Sequence, residues 1–103
     1  MREQVERLEA ACIRIAAVSP TGSHFVVARE RFAALVERTE AGFGRIGSAG
    51  LVTERGLAVL VWRAGEAFFV AKGFERRADA AEVAALRDFS RDLEDALRPC
   101  SQP

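Results

Sequence analysis

Apolar residues along this chain recur with two periods, and the switches between them outline the fold. Val5, Leu8, Cys12 and Ile15 are three or four apart and predict an amphipathic helix from about Arg2 to Cys12. Beyond it two readings stay open. Ile13–Val18 alternates like a strand, Ser19-Pro20-Thr21-Gly22-Ser23 is a turn signal, and His24-Phe25-Val26-Val27-Ala28 is rich in β-formers. This favours a hairpin of Ile13–Val18 with Ser23–Ala28. The alternative is a helix through Ala17 followed by a second from Ser23.

Phe32, Leu35, Val36 and Thr39 then return to helical spacing and predict a helix over Arg29–Ala41, closed by Gly42. Gly42–Gly50 holds four glycines and reads as a connection or an irregular strand. Leu51-Val52-Thr53 begins a strand that turns back at Glu54-Arg55-Gly56.

Leu57–Arg63 and Glu66–Lys72, joined by Ala64-Gly65, read as two strands of a hairpin. A two-residue loop there sets Arg63 opposite Glu66, Trp62 opposite Ala67, Val61 opposite Phe68, Leu60 opposite Phe69 and Val59 opposite Val70. One face then carries Leu60, Trp62 and Phe69, and the other Val59, Val61, Phe68 and Val70. A sheet with a wetted side alternates apolar with polar residues, and this hairpin does not. Something is therefore expected to cover both faces. The last element is a helix with Asp79 as N-cap, Glu82 completing a capping box, and a stripe of Val83, Leu86, Phe89/Ser90, Leu93 and Leu97. Arg91–Asp95 and Glu94–Arg98 are opposite-sign pairs one turn apart. Pro99 is expected to end it, leaving a frayed tail at residues 99–103 after a single domain over residues 1–98.

Composition narrows the function classes. Fifteen basic and fifteen acidic side chains cancel, without the clustered positive charge of a nucleic-acid-binding domain. No apolar run approaches the ~20 residues of a membrane span, and the charged N-terminus lacks a secretory signal. The expectation is a cytoplasmic protein that contacts neither nucleic acid nor membrane. Lys72 is the single lysine, and with the many alanines this suits a GC-rich bacterial genome. Cys12 and Cys100 match no zinc spacing, and no cofactor is implied. Cys12 reads as a buried side chain on the first helix and Cys100 as a free surface thiol.

Motifs for chemistry lack their context. Gly42-Phe43-Gly44-Arg45-Ile46-Gly47 spells the dinucleotide fingerprint, but the predicted helix precedes it and a strand follows, the reverse of what a phosphate site needs. His24 is the only histidine and has no acid or cysteine pattern beside it. The serines sit in no nucleophile elbow. No catalytic residue is assigned.

Taken with the hairpin reading, the element order is α-β-β-α-β-β-β-α, an α+β fold with an antiparallel β-meander and helices on both faces. On the Ala16-Ala17-Val18-Ser19-Pro20-Thr21-Gly22 segment and the Leu57–Lys72 hairpin, the chain resembles the roadblock/LC7 family. That resemblance implies helices on both sides of one sheet, pairing into homodimers or heterodimers, and scaffolding without catalytic residues. The leading expectation is a small non-catalytic interaction or adaptor domain that is dimeric or binds a protein partner. Phe43, Leu51, Trp62, Phe68 and Phe69 are its candidate interface or pocket residues. The alternative is a small-ligand sensor with a pocket of Trp62, Phe69 and Phe43.

Overall fold

The computed structural model describes residues 2–98. A helix α1 (Arg2–Ala10) leads into seven strands, β1 (Arg14–Val18), β2 (His24–Arg29), β3 (Phe32–Thr39), β4 (Gly42–Thr53), β5 (Gly56–Arg63), β6 (Glu66–Ala71) and β7 (Phe74–Arg77), and a helix α2 (Ala80–Leu97) closes the chain. The strands form one antiparallel sheet in sequence order. The predicted order α-β-β-α-β-β-β-α is therefore corrected: no helix interrupts the strands, and the two helices stand at the ends of the chain.

The Arg29–Ala41 helix is replaced by β3 and its flanking turns. Phe32 and Val36 are buried on one face of this strand, in register with Arg29 and Phe25 of β2, and Leu35 points to the other. A strand that is apolar on both faces offers residues at i, i+3 and i+4 as readily as a helix does. Glu30, at φ 54, makes the tight turn that sends the chain back.

Helix α1 ends earlier than its apolar spacing suggests. Ile13 N donates to Leu8 O at 2.8 Å and Cys12 N to Glu9 O at 2.9 Å, a Schellman closure with Cys12 in the left-handed position at φ 62. Leu8 and Ile13 are the apolar pair that accompanies it, 1% and 2% exposed. Cys12 is thereby turned outward and is exposed, which corrects the expectation that it is buried. Pro99, Cys100 and the tail expected after them lie outside the described residues.

The strands β1 and β2 pair as the hairpin reading expects. The β5–β6 register matches the five expected pairs, from Arg63↔Glu66 to Val59↔Val70. The glycine-rich stretch is the long strand β4, whose pairing with β3 shifts register twice. At Gly50 a Cβ would run into the Ala58 backbone, so only glycine lets β4 and β5 approach there.

The core lies on one side of the sheet. Val83, Leu86, Phe89, Leu93 and Leu97 of α2 pack with Phe25, Val27, Phe32, Ala34, Val36, Leu51, Ala58 and Phe69, which all point the same way from their strands. Helix α1 lies beside the end of α2, where Arg7 Nε donates to Ala96 O at 2.8 Å and Gln4 Nε2 to Leu97 O at 3.2 Å. Arg29, on the same sheet face, binds Asp92 of α2 at 2.8 Å and donates to Ala11 O at 3.1 Å. The molecule measures 42 × 32 × 21 Å. A thickness of 21 Å fits one sheet and one helix layer, since layers stack about 10 Å apart. Helices on both faces, the sequence expectation, are thus not found: both helices cover the same face.

Candidate interaction surface

The uncovered face is apolar across its middle. Val59 and Val61 of β5 and Phe68 and Val70 of β6 form a four-residue block through cross-strand pairing. Val26 and Leu35 pair on β2 and β3. All six are half-buried, and none packs against the core under the helices. Val52, at 54% exposed, extends the surface toward the β4–β5 turn. Ala28 and Ala33, opposite each other, also belong to this face and not to the helix-side core.

One row of paired residues crosses all seven strands: Arg14, Ala28, Ala33, Gly50, Val59, Val70 and Glu75. Side chains in that row are small on β2 to β4 and large on β5 and β6. The small residues Ala28, Ala33 and Gly50 are buried, and two residues along the strands Val26 and Leu35 stand on β2 and β3 as Phe68 and Val61 do on β6 and β5. At the margin Arg63 pairs with Glu75 at 2.8 Å and Arg77 with Glu66 at 3.3 Å. The Arg63 guanidinium also lies 5.7 Å from the centre of the Phe68 ring.

The edges are less inviting than the face. On β7, Glu75, Arg76 and Arg77 place charge along the outer strand. On β1 a register shift between Ile15 and Ala17 breaks the ladder.

On the helix side, the polar groups satisfy one another. Glu82 is 4% exposed, yet it accepts from Arg76 at 2.6 and 3.2 Å and from the Asp79 amide at 3.1 Å. Its own amide donates to Asp79 Oδ1 at 2.8 Å, completing the capping box that the sequence predicts. Arg31 adds a second guanidinium at 3.6 Å. The Arg76 hydrogen bonds hold the Glu82 carboxyl below its ordinary range although burial opposes them, and the same bonds raise Arg76. These groups lock the start of α2 to β7. Among the described residues no three of His, Cys, Asp and Glu gather as a metal site.

The candidate residues of the sequence separate into different places. Phe69 and Leu51 are core, 0% and 6% exposed. Phe43 packs on Phe25, ring centres 5.0 Å apart, at the edge of that core. Trp62 is 54% exposed and lines an open cavity of about 360 Å³ with Ala67, Val83 and Arg87 beside the start of α2. Leu51 borders a different cavity. Of the five, Phe68 alone lies on the uncovered face. Sequence reasoning missed Val26, Leu35 and Val52 as members of it. The alternation of Phe32, Ala34 and Val36 with Ala33 and Leu35 was the available signal. The fingerprint glycines lie inside β4 and form no helix-capped loop.

Comparison with known protein families, curated proteins and solved structures returns no match. It speaks neither for nor against the roadblock/LC7 resemblance, whose supporting element order is the one corrected above. No helix among the described residues is long and apolar enough to cross a membrane.

Proposed function

We propose that this protein is a small non-catalytic interaction or adaptor module of the cytoplasm, which docks through the uncovered face of its sheet. The observation that carries the reading is the Val59–Val61–Phe68–Val70 block, four large apolar side chains with no layer over them. Contiguous apolar surface of this kind is what association sites expose. The chemistry on the helix side agrees. Glu82 and Arg76 are consumed in binding each other and in capping α2.

Photo-cross-linking in the expressing cell tests this. A benzophenone side chain at Phe68 is expected to give covalent adducts, and one at Arg91, on the exposed side of α2, none. Equal adduct formation at both positions, or none at Phe68, refutes the reading.

The cavity beside Trp62 supports a second reading, a sensor for a small ligand, because its size suits one. A metabolite panel monitored by thermal shift tests it. A ligand that raises Tm in wild type and not in Trp62→Ala supports a sensor, and no shift retires it.

A further inference from the structure

We infer that the occupant of the open face is a second copy of this chain, packed sheet to sheet about a two-fold axis that runs along the strands. The inference rests on the docking reading above and adds the partner. It follows from the row of residues that crosses the sheet.

A two-fold axis lying between two such sheets, parallel to the strands, sets β1 of one copy over β7 of the other. The row then meets its own reverse. Ala28 and Ala33 come opposite Val70 and Val59, Gly50 comes opposite its own copy, and two residues along, Val26 and Leu35 come opposite Phe68 and Val61. Each copy lays its Val61–Phe68 pair on the other's Val26–Leu35 pair, apolar on apolar. At the ends of the row, Arg14 of one copy comes to the edge where Glu75 lies with its partner Arg63 in the other, and the reverse. The apolar pattern is therefore self-complementary, as a closed two-fold interface requires.

Size and net charge permit the same arrangement. A stable interface takes about 800 Å² from each partner, and the sheet lies in a body 42 by 32 Å across. Fifteen positive and fifteen negative side chains leave no net repulsion between copies. Face-to-face sheets pack about 10 Å apart with strands within roughly 30° of alignment. The assembly is then four layers, helices outside and two sheets within, and the second apolar face becomes dry.

Sedimentation equilibrium of the full chain from 1 to 100 µM tests the inference. Wild type is expected at twice the 11.2 kDa chain mass. Val59→Glu and, separately, Phe68→Arg are expected at the single-chain mass, with far-ultraviolet circular dichroism unchanged. Trp62→Ala, on the helix side of the same strand, is expected to stay dimeric. Wild type at 11.2 kDa throughout overturns the second copy. If Phe68 still cross-links to another protein in that case, the docking reading survives without it. A dimer that Ile15→Glu on the β1 edge dissociates, and Val59→Glu does not, overturns the face as the interface. Should both face variants unfold, a Phe68→Ser variant that is folded and still fully dimeric also overturns it.

Discussion

Glu82 is the side chain whose removal reads most of the fold at once. Glu82→Ala deletes half of the capping box at the start of α2 and both acceptors of Arg76. Loss of a cap costs about 1 kcal/mol. Hydrogen bonds to a charged group contribute about 1.5–3 kcal/mol where they are buried. Here the lower end applies, because Arg76 is 44% exposed and regains water when its partner goes. The expected destabilisation is about 2–3 kcal/mol. For a chain near 100 residues that lowers Tm by roughly 8–24 °C. Glu82→Gln keeps an oxygen for the Asp79 amide and removes only the charge, so it should fall between wild type and alanine. Acidity separates the two contributions. The folded carboxyl titrates below its ordinary value of 4.5, so its charge stabilises the fold at pH above that value and the contribution fades as pH falls through the folded one. Thermal melts of wild type and Glu82→Gln should thus differ at pH 7 and converge toward pH 3. Coincident melts at pH 7, or a gap that persists undiminished at pH 3, would refute the assignment of Arg76 and Glu82 as a stabilising pair.

Two further substitutions probe the layers. Phe89→Ala opens a hole under α2 at a residue with 0% exposure, and denaturant melts should show a loss of about 3–5 kcal/mol; a loss below 1 kcal/mol would mean that α2 is not the cover of this core. Ala64→Gly relieves a left-handed alanine at φ 51 in the β5–β6 turn and should raise stability by about 0.5–1 kcal/mol, after the larger entropy of the unfolded glycine is subtracted; a lower Tm would contradict strain in that turn.

The elements that local chemistry specifies could be read from the chain, and those that depend on the environment could not. Asp79 and Glu82 announced α2 because a capping box is satisfied within four residues. The β5–β6 register followed from Ala64-Gly65, since a two-residue loop leaves one alignment. Arg29–Ala41 misled because Phe32, Leu35 and Val36 serve a two-faced strand as well as a helix. What decides is the pairing of β3 with β2 on one side and β4 on the other, which no local pattern contains. The same error hid the candidate surface: with β3 taken as a helix, Leu35 and Val26 had no common face. Both faces of the β5–β6 hairpin were expected to be covered, with helices of this chain over each. Its helices cover one.

Hydroxyl-radical footprinting of the full-length protein across concentration tests the central claim most directly, with neighbouring residues on opposite faces of β6 as the comparison. Phe69 should be protected at every concentration, because α2 covers it, and Trp62 oxidised at every concentration. Phe68 should react in dilute solution and become as protected as Phe69 near 100 µM. Phe68 oxidised to the same extent from nanomolar to 100 µM, and equally in extract of the source cells, would contradict the account: the face would then be wet in all states, and association could not be what it is for.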